Sequence, residues 1–152
     1  KLFTTHKVLS KAELKARTEI LLEAYSTTIC IEGKTALNMA QRQILPVAIE
    51  YASVLGKSIE RISDAGCNPE TEKKILNKAC GLITDLNNGI EELKKILAEV
   101  CDVDNTANKA EKCRDKVVTS INTVRKFADE IEMIVDAKMW PLPTYAEMLF
   151  VK

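Results

Sequence analysis

Apolar residues recur along most of this chain at steps of three and four, the spacing that lines one face of an α-helix. The first such run opens at Ser10. Ser10 and Glu13 have the S-x-x-E spacing of a capping box, and Leu9 and Leu14 occupy the two positions of a hydrophobic staple across it. Helical spacing then continues through Leu14, Leu21, Tyr25, Ile31, Leu45, Ile49 and Ala52, which predicts a first helix over 10–64. Two residues interrupt it. Gly33 costs about 1 kcal/mol relative to alanine, and whether it breaks the helix is left open by the pattern. Pro46 deletes a backbone hydrogen bond, which predicts a kink between residues 42 and 46.

A turn at 66–68 leads into Asn68-Pro69-Glu70-Thr71-Glu72, which reads as N-cap, first-turn proline and acidic first turn. The second helix, 68–101, carries Ala79, Ile83, Leu86, Ile90, Leu93, Leu97 and Val100 in a heptad-like seam. After a turn at 101–105, with Asp102 or Asp104 as the expected cap, the third helix, 104–139, repeats the rhythm. Its apolar line runs Ala110, Cys113, Val117, Ile121, Val124, Ala128, Ile131, Val135, ending at Lys138. Pro141 and Pro143 forbid continuation beyond Trp140. Short connections make sequential helices antiparallel. The expected architecture is all-α: an antiparallel bundle of three long helices in a single helical domain, 1–152. It has a lead-in at 1–9, a first helix kinked near Pro46 and a proline-containing tail at 140–152.

The first helix is longer than the other two, so its N-terminal half, with Leu14, Leu21, Leu22, Tyr25 and Ile29, should project past the bundle and need a covering surface. The tail holds Trp140-Pro141-Leu142-Pro143-Thr144-Tyr145, then Met148, Leu149 and Phe150, with capping-box spacing between Thr144 and Glu147. It predicts one short helical turn folded onto the bundle end or onto a neighbouring domain. The candidate docking surface is therefore Leu14, Leu21, Leu22, Tyr25, Ile29, Trp140, Tyr145 and Phe150.

Composition removes several function classes. Lysine plus arginine equals aspartate plus glutamate, 22 against 22, so there is no basic excess to draw nucleic acid or anionic lipid. No segment approaches the roughly 20 apolar residues of a membrane span. Five cysteines (Cys30, Cys67, Cys80, Cys101 and Cys113) lie far apart with no C-x-x-C pair, the pattern of reduced thiols rather than of a secreted scaffold. His6 is the only histidine, which excludes a carboxylate-bridged di-iron bundle and leaves no zinc constellation. No phosphate-binding loop or nucleophile elbow occurs, and the five glycines do not cluster. Glu19, Glu23 and Glu32 have nothing in their spacing beyond ordinary surface carboxylates, and Glu91-Glu92-Leu93-Lys94-Lys95 reads as a solvated helix face. No catalytic residue, cofactor site or metal site is expected in the chain. Because it begins at Lys1 and its first methionine is Met39, it is expected to be a segment of something longer.

The string Leu2-Phe3, His6, Val8-Leu9-Ser10, Ala12-Glu13-Leu14, Arg17, Glu19-Ile20 resembles the start of the C-terminal region of type III glutamine synthetases. Leu22-Glu23, Tyr25, Thr28-Ile29, Ile31-Glu32, Met39-Ala40, Arg42 and Ile44-Leu45-Pro46 continue the resemblance. So do Ala128-Asp129-Glu130-Ile131-Glu132 and the terminal Trp140-Pro141-Leu142-Pro143-Thr144-Tyr145 with Leu149-Phe150. Gly33-Lys34 and Cys30 depart from the family pattern, which has Ala-Leu and commonly Asn there. The resemblance implies a large, oligomeric, cytoplasmic bacterial enzyme that joins ammonia to glutamate with ATP and magnesium through a γ-glutamyl phosphate. It also implies that the catalytic residues lie upstream, none of them in this chain. The chain itself would serve assembly or docking, its partners being the catalytic core and neighbouring subunits of a homo-oligomer. The alternatives are a free-standing helical interaction bundle and, least consistent with the residues, an autonomous enzyme.

Overall fold

A computed structural model of the chain describes residues 2–143 and 145–150. Its elements are α1 (Leu2–Thr5), α2 (11–64), α3 (70–101), α4 (106–132) and α5 (Tyr145–Leu149), with no strand among the described residues. The three long helices pack as an antiparallel bundle.

α1 ends in a Schellman-type turn. The Val8 N–H donates to the Phe3 carbonyl at 2.9 Å and the Lys7 N–H to Thr4 at 3.3 Å, with Lys7 at φ 54°. The same closure ends α2, where Cys67 donates to Ile62 and Gly66 to Ser63 with Gly66 at φ 81°, a conformation that glycine adopts without a Cβ penalty.

The cap of α2 forms as the spacing predicts. The Glu13 N–H donates to Ser10 Oγ at 3.2 Å, and the Ser10 N–H donates to Glu13 Oε2 at 2.8 Å. That backbone N–H, ahead of the Ser10 hydroxyl and the Arg17 charge, holds the Glu13 carboxyl below the usual glutamate range. A carboxylate depressed in the folded state stabilises the fold above its unfolded pKa, and that stabilisation is lost as the pH falls through the folded value. In an NMR titration Glu13 should titrate below the usual glutamate range, and Ser10→Ala, which removes the hydroxyl but keeps the backbone N–H, should raise it only in part. Titration of Glu13 within the usual range in the unsubstituted protein would contradict the cap.

α2 is continuous through Gly33. Its interruption comes later, where residues Ala40–Ile44 form a π-turn and the Leu45 N–H reaches back to the Ala40 carbonyl. Pro46 follows at once, in the first turn of Leu45–Asp64. The proline is accommodated by this widened turn, because its ring would otherwise meet the carbonyl four residues back.

Where the helices meet, α2 departs from its expected face. Ile31 and Ile49, assigned to the inner line, are 59% and 52% exposed, whereas Ser26, Cys30, Gly33, Ala40, Ile44 and Ala48 are buried. Small residues make this seam because α3 and α4 come close: a Cβ on Gly33 would lie 2.9 Å from Leu97 Cδ2 and 3.2 Å from Val117 Cγ1. The Ser26 hydroxyl, buried in the seam, donates to the Leu22 carbonyl at 2.8 Å and so carries no unmet hydrogen bond.

α3 buries Ala79, Leu82, Leu86, Ile90, Leu93, Leu97 and Val100, the expected seam except that Leu82 is deeper than Ile83. Asn68 does not cap it. Its side-chain amide donates to Glu70 Oε1 at 3.2 Å, and buried Pro69 takes the cap position instead. α4 is capped by Asn105, whose Oδ1 accepts from the Asn108 N–H at 3.0 Å, and not by Asp102 or Asp104. It buries Ala110, Cys113, Val117, Ser120, Val124, Ala128 and Ile131, with a second π-turn at Cys113–Val117.

α4 ends at Glu132 rather than 139. Beyond it, Asp136 organises a turn: its carboxylate accepts from the Lys138 N–H at 2.8 Å and its carbonyl from Met139 and Trp140. An aspartate that bonds nearby backbone competes with helical hydrogen bonds, and the prolines then keep the chain extended. Met139, Trp140 and Leu142 pack on the core from this turn, and Val135 is buried there. α5 forms, but Met148, Leu149 and Phe150 are 51%, 75% and 78% exposed, so its apolar face does not fold onto the bundle. The expected Thr144 cap lies outside the described residues.

Candidate interaction surface

The side chains of the bundle surface are mostly solvated charges. Ion pairs join Lys15 with Glu19, Glu91 with Lys94, Arg125 with Asp129 and, between α3 and α4, Glu99 with Lys116, each at 3.7 to 3.9 Å and half exposed or more. Exposed pairs of this kind contribute about 0–1 kcal/mol each. Among the described residues no three His, Cys, Asp or Glu side chains converge as metal ligands. No helix of the described residues is long and apolar enough to cross a membrane. The concavities are open grooves between helices. One, on α3 and α4, is lined by Gly89, Glu92, Glu99, Asp115, Lys116 and Ser120 among others.

Two cysteines do meet, a pairing that a separation of 83 residues hides from the sequence. Cys30 Sγ on α2 lies 3.9 Å from Cys113 Sγ on α4, and both are buried. Burial, then the neighbouring Cys113, pushes the Cys30 thiol up to about 11. A thiol held protonated in the core is a poor nucleophile and packs as a small apolar group. Exposed Cys67, Cys80 and Cys101 should therefore react rapidly with a disulfide reagent under native conditions, and Cys30 and Cys113 only on unfolding. Rapid reaction of all five would place the pair on the surface.

The largest departure from a finished globular surface is apolar. The Cys30 and Cys113 contact, with Gly33 against Val117, sets the register: α4 runs parallel to α2, and α3 antiparallel to both. Thr106 begins α4 seven residues before Cys113, level with about residue 23 of α2. At about 1.5 Å per residue, residues 11–22 project roughly 18 Å beyond the other helices. On this projection Ile20 is 64% and Leu21 70% exposed. In the adjoining lead-in, Leu2, Phe3 and Val8 are also exposed.

The described ones among the expected docking residues separate into four groups. Leu21 is exposed and Leu14 half-buried on the projection. Leu22 and Tyr25 border grooves against Ala107 and Ala110 at the start of α4, so this part of α2 has a neighbour. Ile29 packs on the core and does not project. Trp140 is half-buried on the core beyond the end of α4 and Phe150 is exposed, while the Tyr145 side chain lies outside the described residues. From the same register, the last turn of α4 is roughly 40 Å along the α2 axis from Leu21. The two halves of the expected surface therefore form no single patch. Ile20, missed in the sequence beside Leu21, joins the projecting group. Its signal was the pair of adjacent large apolar residues flanked by Glu19 and Glu23.

Residues 1–63, the lead-in and nearly all of α2, match the family described as glutamine synthetase C-terminal domain. Over 158 aligned residues the chain is 28% identical to the type-3 glutamine synthetase of Dictyostelium discoideum, covering 100% of the chain and 22% of that protein. It is 30% identical to a glutamine synthetase of Butyrivibrio fibrisolvens, with 98% and 22% covered. A glutamine synthetase of Bacteroides fragilis is 27% identical, with 96% and 21% covered. The chain spans about a fifth of the length of these curated relatives.

Proposed function

We propose that the chain is the C-terminal helical, non-catalytic domain of a type III glutamine synthetase, and that it serves assembly by docking on the catalytic core. The observation that carries this reading is similarity along essentially the whole chain to about a fifth of three glutamine synthetases, one of them named type-3. The parent enzyme would make glutamine from glutamate, ammonia and ATP with magnesium, in the cytoplasm and as a homo-oligomer. ATP and magnesium would be held upstream, since no described cluster of side chains here offers a metal ligand set. What the chain contributes is a rigid apolar surface held away from solvated helix faces.

The test is to read the complete gene and assay its product. The gene should encode a glutamine synthetase region upstream of Leu2, and the full polypeptide should form glutamine. Residues 1–152 alone should form none from glutamate, ammonia, ATP and magnesium. A gene without that region, or glutamine formation by 1–152 alone, would refute the proposal.

A further inference from the structure

We infer that the upstream part of the same polypeptide packs on the N-terminal part of α2, residues 11–25, through Ile20 and Leu21 on its projection, and that the 140–150 end is not its seat. The inference rests on the proposed function above, because it takes as partner the remainder of a longer glutamine synthetase.

Three observations choose this occupant and this face. First, Ile20 and Leu21 are the neighbouring large apolar residues of the projection, at 64% and 70% exposure, on a helix whose other neighbours begin near residue 23. A helix carrying large apolar residues on its outer side as well as small ones on its inner side has two faces to cover. Second, the lead-in places the upstream chain here. α1 and its closing turn lie within ten residues of the Ser10 cap, and a groove lined by Thr4, Lys7, Leu9, Ser10 and Lys11 joins them to α2. A segment arriving at Leu2 reaches this face at high effective concentration, whereas the last turn of α4, from which the tail continues, is roughly 40 Å away. Third, the matching family region covers residues 1–63 and stops where α2 stops. It includes the projecting face, while the similarity to the curated relatives runs on through α3, α4 and the tail.

Surrounding charges suit a polar rim. Lys11, Glu13, Lys15, Arg17, Glu19 and Glu23 bring three charges of each sign to this part of α2. The expected partner surface is thus apolar at its centre with mixed charge around it, and has no single-sign field. Met148, Leu149 and Phe150 are exposed to a similar extent, but they lie on and just after a five-residue helix that follows two prolines.

The test uses the complete polypeptide encoded by the gene, in three forms: unsubstituted, Ile20→Glu with Leu21→Glu, and Met148→Glu with Phe150→Glu. Glutamate keeps the helix propensity of the exposed positions, so lost protection reports lost contact. Amide hydrogen exchange of residues 11–25 should be at least about tenfold slower in the unsubstituted protein than in the Ile20 and Leu21 variant. Exchange of residues 82–100 should match in all three, which shows an intact bundle, and the tail variant should protect 11–25 as the unsubstituted protein does. Equal exchange of 11–25 in the first two forms would overturn the inference, as would loss of protection in the tail variant. So would protection that appears only as protein concentration rises, the mark of a second copy. If the complete polypeptide makes glutamine while 11–25 exchanges freely, the face is wrong and the domain assignment stands. If no glutamine synthetase region precedes Leu2, the assignment fails and the inference falls with it.

Discussion

Leu93→Ala is expected to destabilise the bundle by about 2–5 kcal/mol, the range for a leucine truncated in a packed core. Leu93 has no exposed surface, and it lies between Ile90 and Leu97 on the helix that packs against both others. Replacing its isobutyl group with methyl takes three carbons from a site walled by packed helices, so little collapse can refill the space. The same truncation at Leu21, 70% exposed, should change stability by no more than about 0.5 kcal/mol. Urea denaturation of both variants of the chain measures the contrast. The midpoint should fall sharply for Leu93→Ala at nearly constant slope. If both variants lose equally, either Leu21 is covered or the central helix is loosely packed, and the register derived from Cys30 and Gly33 would need revision.

That contrast also marks how far the sequence could be read. In α3 the large apolar residues themselves form the buried line, at uninterrupted heptad-like steps, so size and spacing point to the same face. In α2 they disagree. The inner face is mostly small, Ser26, Cys30, Gly33, Ala40 and Ala48 with Ile44, and while Ile29, Leu37 and Leu45 pack on the core, the large residues Ile20, Leu21, Ile31 and Ile49 look outward. A reading that follows large apolar residues alone mixes the two sides of such a helix. The Ser10 cap was legible because both partners lie within four residues. The Asn105 cap was masked by Asp102 and Asp104, equally good acceptors one to three positions away. The end of α4 depended on whether Asp136 would bond forward to Lys138, a choice of turn over helix that periodicity does not encode. The candidate surface suffered from the same limit. The sequence shows that residues near 21 and near 150 are apolar, but their separation depends on which turn of α2 meets the start of α4, and that is set by the Cys30 and Cys113 contact.

Gly33→Val should be the most damaging single substitution in α2, at about 3 kcal/mol, the upper part of the range for overpacking a core. By helix propensity alone the change should help, since glycine in a helix interior costs about 1 kcal/mol relative to alanine. The packing reverses the sign. Even a Cβ would stand 2.9 Å from Leu97 Cδ2, with Leu97 Cδ1 at 3.6 Å on the same side and Val117 Cγ1 at 3.2 Å on the other helix. Leu97 is 4% exposed and Val117 fully buried, so neither can swing into solvent, and valine adds two further carbons where the first already collides. Gly33→Ala should fall between, losing about 1 kcal/mol as strain exceeds the propensity gain. Combining it with Val117→Ala gives the sharper measurement. The vacated Cγ1 makes room for the new Cβ, so the double variant should be more stable than the sum of the single losses by about 0.5–1 kcal/mol in a double-mutant cycle. Strict additivity would mean that Gly33 and Val117 do not touch. Stabilisation by Gly33→Ala would mean that α2 stands further from α3 and α4 than the small-residue seam requires.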